Sequence, residues 1–548
     1  MDTAHGAALD RHTIKMGADV RYNKVDNESG FNSKGAFVFN NLQDYMNNFA
    51  FSFTQALQTA SWYAKQWQTY FFAQDDFRVT DALTLNFGLR YEVSQVPLGM
   101  FGATDPESLA AMVPGEVEMD TNNWAPRVGF AWSPRSDNRF LGDGRTVIRG
   151  GFGIGYDVLF YNLLTVNASN YPRVVTALVN NVQNVYPNLL PVSAEAVFNP
   201  LAQWVNSAED TQNPDQRYYS LGWQRELGRY VFEVGYTGSR GYHGINQIEM
   251  NPPVLTAEQA ALVATTRNPN IIPGVQARRL YPQYGPRLLI PGYVGPADND
   301  VEARSEYNAI FFSANRRFVD GFTFGGSYTY SEFMSNNDAS LAEAGTAGSS
   351  QRPQSMFDYE VEWSRSQFDR PHRWVANFVW ELPGPDAGFM GALFGGWQLS
   401  AVTSGQSGRP FTIRTGVDSN GDGSNGADRP NVNTSGSFTW DDEHQGFTNN
   451  GYYVVPLGTN GLPLANSLGD GNAARNSERA AFEYNTDASL QKRFYFGERY
   501  FSLRIDSFNV FNQDIYGFPD NSMNSASFGI NTNNWGRRSF TVSGKFSW

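Results

Sequence analysis

The sequence of 548 residues contains no cysteine, which excludes disulfide bonds, thiol catalysis and cysteine-ligated zinc or iron–sulfur sites. Charged residues are also scarce, at 17%, and the net charge of −13 argues against nucleic acid as a partner. No apolar run approaches the roughly 18–20 residues that a membrane-spanning helix requires; the nearest, Gly388–Trp397, is too short and too glycine-rich. A membrane location would therefore require a closed β-sheet, since only helices and barrels satisfy every backbone polar group in lipid.

Aromatic residues and glycine are abundant instead: Phe, Tyr and Trp make up 15% of the chain, and glycine accounts for 53 residues. Together with the low charge, this composition is typical of a barrel with aromatic girdles and long polar loops. The first residues carry neither the basic nor the apolar segment of a signal peptide. Because strand-like alternation begins by Thr13, we expect either a removed leader or a chain that begins inside a larger protein.

The last twelve residues alternate between apolar and polar side chains and end on an aromatic residue. A period of two indicates a β-strand, and its apolar face contains Phe540, Val542, Phe546 and Trp548. Such a strand is typical of the C-terminus of an outer-membrane barrel, whose terminal aromatic residue lies in the lipid interface. We therefore predict that these four residues form an assembly signal read by the barrel-assembly machinery. The alternative is the edge strand of a soluble β-sandwich.

The same alternation recurs along the chain and predicts an all-β fold, a transmembrane antiparallel β-barrel. Leu83, Leu85 and Phe87, for example, alternate with Thr84 and Asn86. Many of these segments run to about ten residues or more, the length that crosses a bilayer at a tilt. The pattern predicts about fifteen strands, near residues 12–24, 32–40, 62–79, 82–95, 123–134, 145–158, 215–227, 230–242, 304–318, 322–333, 370–383, 396–411, 484–496, 499–513 and 537–548.

Very short connections between the predicted strands alternate with very long ones. Tight turns are predicted at Thr80-Asp81, Gly228-Arg229, Val319-Asp320-Gly321 and Gly497-Glu498. Short periplasmic turns at one end and long extracellular loops at the other are the arrangement of outer-membrane proteins, whereas a compact soluble domain rarely contains many long loops. The predicted long loops are 40–61, 95–122, 160–214, 243–303, 334–369, 412–483 and 514–536.

The predicted strand count has a consequence for the direction of the first strand. With an odd number of strands and a periplasmic C-terminus, that strand would descend from the outside to the inside, whereas a whole bacterial barrel begins with an ascending strand. We therefore expect residues 1–548 to be a single barrel domain that forms the C-terminal part of something larger.

Five segments of the sequence carry a family resemblance: Phe71–Thr80, Leu83–Glu92, Trp124–Trp132, Phe368–Arg373 and Phe508–Asn512. They resemble the TonB-dependent outer-membrane receptors, in particular the subgroup with an N-terminal carboxypeptidase-regulatory-like domain. The resemblance implies a barrel of about 22 strands with a plug in its lumen, of which the predicted strands would be the last fifteen, and an N-terminal box that contacts TonB. These N-terminal parts are not in this sequence, so TonB would be contacted only through the missing N-terminal region.

An acidic, glycine-rich segment carries the sharpest local motif. Asp418, Asn420 and Asp422 occupy positions 1, 3 and 5, and a glycine follows at position 6, as in the first half of an EF-hand calcium loop. The twelfth position is Arg429 rather than a bidentate glutamate, so Asp428 would supply the late carboxylate. We predict a Ca²⁺ site formed by Asp418, Asn420, Asp422 and Asp428. The alternative is a flexible Gly/Asn turn.

No motif in the sequence indicates an enzyme. Ser489-Leu490-Gln491-Lys492 matches the Ser-x-x-Lys pattern of one hydrolase class, but it lies on a predicted strand and no partner motif of that class is present. The segment around His372 joins a histidine with a carboxylate. We interpret it as a strand-entry turn in which Asp369 pairs with Arg370 or Arg373.

These features predict an outer-membrane receptor for TonB-dependent uptake of a bulky nutrient, such as an oligosaccharide, a peptide or a chelated metal. Its partners would be outer-membrane lipid and lipopolysaccharide, the assembly machinery and the unidentified nutrient. Aromatic-rich loops at Tyr281–Pro286 and Phe357–Glu360 either stack on that ligand or pack on themselves. A passive porin-like channel and a structural or adhesive surface protein are the alternative functions.

Overall fold

The computed structural model consists mainly of β-strands and describes most of the chain. The residues described are 11–29, 33–57, 60–94, 117–136, 138, 141–142, 144–169, 174–184, 186, 201–266, 272–293, 301–338, 353–355, 357–385, 388–422, 427–441, 445–455, 470–532 and 534–548.

Long strands with alternating apolar and polar side chains form the main sheet. β-Branched and aromatic residues favour this extended conformation because they pack well on a pleated surface. The strands are β1 (His12–Ser29), β2 (Ala60–Thr80), β3 (Leu83–Ser94), β4 (Asn123–Trp132), β5 (Thr146–Tyr156), β6 (Asp215–Leu227), β7 (Tyr230–Gly244), β8 (Ala303–Val319), β9 (Phe322–Ser335), β10 (His372–Glu381), β11 (Trp397–Gln406), β12 (Glu483–Phe496), β13 (Arg499–Phe508) and β14 (Ser539–Ser547).

Each of these strands pairs antiparallel with its neighbours in the chain, so the sheet runs in simple sequence order from β1 to β14. A two-residue strand, Ser364–Arg365, pairs with β9 and brings the sheet to fifteen strands. The prediction of one large antiparallel sheet of about fifteen strands is therefore confirmed. Among the described strands, β1 and β14 are the two edges and pair only with β2 and β13.

One predicted member of the sheet is wrong. Within residues 32–40, only Ala36–Val38 is a strand, and it pairs with Phe49–Ala56 in a separate small sheet. It has no room in the main sheet because β1 pairs directly with β2, from His12 opposite Phe77 onward. Without that strand, the number of long strands is even, so β1 runs from the end of the sheet with the two-residue turns to the end with the long loops, and the predicted direction of the first strand is wrong. The strand count therefore gives no support for further strands.

The connections divide the sheet into two ends. At one, named here the turn end, two-residue turns join β2–β3, β6–β7, β8–β9 and β12–β13. Residues such as Gly228, Gly321 and Gly497 adopt positive φ there, with values of 63°, 72° and 68°, which suits glycine in tight hairpins. The opposite end, named the loop end, carries the long connections 30–59, 95–122, 157–214, 245–302, 336–371, 407–482 and 509–538.

The remaining elements are short, and nearly all lie in the loops at the loop end. The helices are α1 (Leu42–Met46), α2 (Asn162–Ala168), α3 (Ala257–Thr266) and, at the turn end, α4 (Gly388–Phe394), with 3-10 helices at Val275–Arg278 and Glu360–Glu362. Short strands are Thr176–Gln183, Trp204–Asn206, Ile248–Glu249, Arg287–Leu289, Pro410–Phe411, Asn431–Val432, Ser437–Asp441, Gly446–Asn450, Tyr453–Val454, Glu478–Arg479, Ile515–Tyr516 and Asn534–Trp535. No helix in the described part of the chain has the length and apolar character to cross a membrane.

The two faces of the main sheet differ in polarity, as the alternation predicts. Phe501 lies opposite Phe546, and Ile505 opposite Val542, so these apolar side chains share one face. This face is uncovered: Phe540, Val542, Phe546 and Trp548 are 62%, 67%, 50% and 90% exposed. An apolar surface of this extent is unfavourable in water and requires an apolar solvent. The other face carries the polar members of the same strands, among them Ser502, Arg504, Asp506, Thr541, Ser543 and Lys545.

We expect deletion of Phe546–Trp548 to prevent assembly, because it removes the aromatic end of the apolar face of β14. Membrane fractionation and the shift of the folded band on unheated gels would measure this. The substitution Lys545→Ala, on the polar face of the same strand, serves as the matched control and should assemble normally. Normal assembly of the deletion variant would contradict the role given to this strand.

Candidate functional site

The loop end is built around its own buried aromatic cluster. Phe411 and Ile413 are fully buried and pack with Phe447 in the 407–482 loop. Phe518 and Phe528 of the 509–538 loop pack against the same cluster, with the Phe447 and Phe528 ring centroids 5.1 Å apart. Because the two loops share one core, each fixes the position of the other. We use the name loop layer for the described residues of the 336–371, 407–482 and 509–538 loops.

A buried ion pair joins two loops of this layer. Both Nη1 contacts from Arg429 to the carboxylate oxygens of Glu362 measure 2.9 Å, and both side chains are 3% exposed. Arg429 also donates from Nε to the carbonyl oxygen of Ala473 at 2.8 Å, and its backbone N–H donates to Oε1 of Gln354 at 2.8 Å. These additional hydrogen bonds offset the cost of removing the charges from water. The pair thus anchors the 407–482 loop to the 336–371 loop.

A second buried arginine reinforces this junction. Arg475 pairs with Asp338 and donates to the hydroxyl of Ser335 at 3.1 Å, at the end of β9. It also donates from Nε to the backbone carbonyl of Glu362 at 3.1 Å. The amide of Asn476 donates to the same Asp338 carboxylate at 2.8 Å. The loop layer is therefore bonded to the rim of the main sheet as well as within itself.

The predicted pairing of Asp369 with Arg370 or Arg373 is wrong. Its carboxylate, 2% exposed, pairs with Arg479 at 2.5 Å and not with Arg370 or Arg373. Arg479 also donates to the carbonyl oxygens of Asp369 and Gly408, at 3.0 and 2.9 Å. Arg479 takes the place predicted for Arg370 or Arg373, because the short strand Glu478–Arg479 pairs with Pro410–Phe411 and so brings Arg479 next to Asp369.

The acidic segment folds on itself through its own side chains. Oδ2 of Asp428 accepts hydrogen bonds from the hydroxyl and the backbone N–H of Ser419 and from the backbone N–H of Asn420. Oδ1 of Asp418 accepts from the backbone N–H of Gly421 at 2.7 Å, and Oδ1 of Asn420 accepts from that of Asp422 at 3.0 Å. Such local bonds are typical of Asp and Asn in turns. The described residues of the motif, 418–422 and Asp428, thus form a hydrogen-bonded turn.

The charges around this turn are unusual. Asp428 is 1% exposed, and its Oδ1 has no hydrogen-bond donor among the described residues. Burial raises the pKa of Asp428 to about 7; hydrogen bonds from Ser419 oppose the shift, and the charges of Asp422 and Asp418 add to it. From another loop, Arg278 donates to the carbonyl oxygen of Gly421 at 2.5 Å. Burial lowers the pKa of Arg278, while Asp418 and Asp422 act in the opposite direction.

The contacts around the acidic turn bear directly on calcium binding. The described residues include no group of three or more His, Cys, Asp or Glu side chains placed to hold a metal ion. The described residues therefore give this calcium site no support, and the guanidinium of Arg278 lies near the acidic turn. The glycine at the sixth position lies outside the described residues. Calcium binding by Asp418, Asn420, Asp422 and Asp428 stays a prediction.

Aromatic residues differ in their exposure across the predicted aromatic loops. The side chains of Tyr281 and Phe357 are 41% and 43% exposed. Tyr359, by contrast, is buried and packs with Ile248 and Val301, so this part of the loop packs on itself. Trp363, 36% exposed, adds an aromatic residue that the sequence interpretation did not single out. Self-packing is therefore confirmed at Tyr359, while stacking on a ligand by the exposed aromatic residues stays a prediction.

We expect Glu362→Gln to destabilise the loop layer by about 3–5 kcal/mol, because it leaves the Arg429 charge buried without its partner. Hydrogen exchange of the loop amides would measure the loss. The neighbouring Glu360→Gln is the matched control: Glu360 pairs with Arg304 at 2.6 Å, but its side chain is 75% exposed. Its loss should cost about 0–1 kcal/mol. Equal effects of the two substitutions would contradict the anchoring role.

We expect the acidic turn to become less stable as the pH rises. An unfolded Asp titrates near 3.8, whereas the folded Asp428 titrates at about 7, so the folded turn holds its proton more tightly. Its resistance to proteolysis should fall between about pH 4 and pH 7 and then stay constant. Asp428→Asn, which is uncharged, should abolish this dependence. Cleavage rates relative to an unstructured peptide would measure it.

The same assay tests calcium. A cation should replace the proton on Asp428, so calcium should protect the turn at pH 8 but not at pH 5. The double substitution Asp418→Ala with Asp422→Ala should remove this protection without affecting assembly. If cleavage is the same with millimolar calcium, with chelator and in the double variant, the segment is a turn and not a calcium site.

Comparison with known proteins supports the fold. A family model described as an outer membrane beta barrel domain matches residues 7–540. No match was found among curated proteins. The solved outer membrane transporter YddB from Escherichia coli has a TM-score of 0.51 and 10% sequence identity, with 97% of this chain and 51% of that chain covered. The FrpB iron transporter from Neisseria meningitidis has a TM-score of 0.41 and 10% identity, covering 98% of this chain and 52% of that chain.

The chain thus spans about half the length of these solved structures. At 10% identity, the likeness to YddB concerns the fold alone. The family model, however, covers nearly the whole sequence, including the long loops and all fourteen long strands in full or in part. The chain therefore belongs to the outer membrane beta barrel domain family and is a protein of the bacterial outer membrane.

Proposed function

We propose that the chain is the barrel portion of a TonB-dependent receptor that takes up a bulky nutrient across the outer membrane. Support comes from the loop layer, which is held by buried ion pairs and a shared aromatic core. A receptor needs a preorganised surface, because a surface that is already ordered loses little entropy when the ligand binds. The single observation that carries the proposal is the buried Arg429–Glu362 pair, which orders two loops at once.

The polar face of the main sheet supports a transport role. In β12 and β13, this face carries Asp487, Arg504 and Asp506, with Nε of Arg504 donating to Asp506 at 2.8 Å. A polar inner wall with an apolar outer wall is the arrangement of barrels that pass hydrophilic solutes. In this proposal the loop end faces the cell exterior, the turn end faces the periplasm, and the substrate passes along the polar face.

The exposed aromatic side chains of the loops narrow the chemical class of the nutrient. Exposed Tyr281, Phe357 and Trp363 offer faces on which a sugar ring, a peptide side chain or an aromatic metal chelator can stack. We therefore propose an oligosaccharide, a peptide or a chelated metal as the cargo. Energy coupling would require contact with TonB through a part of the protein N-terminal to these residues.

The test is uptake in cells with and without TonB. Fluorescent maltodextrin, a fluorescent oligopeptide and a ferric siderophore would serve as probes. We expect one of the three to be imported by cells that express the protein and this import to cease when TonB is deleted. Glu362→Gln should weaken probe binding, while Glu360→Gln should not.

Other outcomes discriminate between functions. Import that persists at the same rate without TonB would identify a passive channel and overturn energy coupling. A failure to bind or import any probe, combined with retained adhesion of cells to each other or to surfaces, would identify a structural surface protein.

A further inference from the structure

The connection between β10 and β11 lies at the turn end, but unlike the four two-residue turns there it contains a helix, α4. The bulky side chains of α4 all project away from the protein: Phe389, Met390, Leu393 and Phe394 are 80%, 55%, 49% and 51% exposed. Their spacing places them on one side of the helix. The segment 382–397 contains a single charged residue, Asp386. A helix with such a surface is unfavourable in water.

Lys492 on β12 fixes where this helix lies. In the sheet, Lys492 is opposite Trp397 and Leu503, so its side chain belongs to the apolar outer face. A lysine on that face would be costly in lipid, yet its side chain is only 3% exposed. Its Nζ donates to the carbonyl oxygens of Leu393, at 3.4 Å, and Gly395, at the C-terminal end of α4. The helix end therefore covers the lysine on the outside of the sheet.

Further contacts hold the end of the helix against the sheet. Nε1 of Trp397 donates to the carbonyl oxygen of Leu393 at 2.9 Å, and Nζ of Lys492 lies 5.3 Å from the centre of the Trp397 ring. Gly395 is buried, and a Cβ atom there would lie 2.3 Å from the carbonyl oxygen of Pro385. The positive end of a lysine beside terminal carbonyls also complements the helix dipole. The position of α4 is thus determined by specific contacts.

The C-terminal end of α4 lies at a defined height along β12. β12 continues from Lys492 to Phe496 before its turn, roughly 13 Å at about 3.3 Å per residue. The end of α4 therefore lies beside β12 rather than beyond it. Phe494, Phe501 and Phe546 lie opposite one another at this level and form an aromatic band on the outer face. The exposed side chains of α4 continue this lipid-facing surface.

We propose that α4 is an interfacial helix whose partner is the phospholipid surface of the membrane leaflet at the turn end. Its apolar side chains enter the boundary between headgroups and acyl chains, where amphipathic and aromatic residues gain most. Lys492 acts as a positioning residue, because it bonds the helix terminus and is itself removed from lipid. The helix anchors the turn end of β10 and β11 at a fixed depth.

The absence of cysteine makes a direct test simple, since each introduced cysteine is unique. Phe389→Cys would be labelled with an environment-sensitive fluorophore in the protein purified from outer membranes and reconstituted in phosphatidylcholine bilayers. Lipids brominated near the headgroup should quench this label as strongly as they quench one at Leu503→Cys, on the outer face of β13. A label at Glu498→Cys, in a two-residue turn, should instead be quenched by aqueous iodide.

A second variant tests whether the hydrogen bonds from Lys492 hold the end of α4. Lys492→Met should remove the bonds to the end of α4, so a label at Leu393→Cys should no longer lie at one fixed depth, and lipids brominated at successive positions should quench it more evenly. Lys545→Met, on the polar face of β14, should leave this depth profile unchanged. Equal iodide quenching of the labels on the Phe389→Cys and Glu498→Cys variants would overturn lipid contact. Protection of the Phe389→Cys label from both quenchers would show a protein partner instead of lipid.

Discussion

Backbone N–H and C=O groups that lie in lipid have no water with which to bond, and each unsatisfied group costs several kcal/mol. This constraint explains why consecutive strands pair along their length, as β1 and β2 do from His12 opposite Phe77 onward. Pairing on both sides forces the side chains to alternate between two environments. The apolar members face lipid and the polar members face the interior, so the described part of the sheet contributes few residues, such as Trp62 and Ala64, to a buried apolar cluster.

The cores of this protein are consequently at its loop end. Phe411 and Ile413 are buried in the loop layer, and Leu163 and Leu164 of the 157–214 loop form a second cluster with Trp62 and Ala64 at the start of β2. Loops without a sheet beneath them must provide their own hydrogen bonds and charge pairs, which accounts for the buried arginines of the loop layer. The loops are therefore ordered by their own buried side chains rather than by the pairing of the sheet, and this order makes a binding surface possible.

The sequence predicts the strands well because alternation is a local property that survives over many residues. The last strand shows this clearly: its faces follow from residues 539–547 alone. Residues 32–40 mislead because a brief apolar pattern does not reveal that Ala36–Val38 pairs with Phe49–Ala56. In the site, the hydrogen bonds within the acidic turn are predictable, because Asp and Asn side chains bond to backbone groups a few residues away. The pairing of Arg429 with Glu362 is not predictable, because the two residues are 67 positions apart and no local sequence pattern links them. The helix α4 was visible only as an apolar run too short to span a membrane.

The buried pairs of the loop layer have a consequence for how such proteins diverge. Loss of Arg429 alone would leave the Glu362 carboxylate only its longer ion pair with Arg475, at 3.9 Å, and loss of Asp338 alone would leave Arg475 only that same ion pair. A substitution at one of these distant positions is therefore tolerated best when its partner is replaced as well. Variation at the cell surface is then free at exposed positions such as Tyr281 and Phe357, while the framework beneath them evolves in correlated steps.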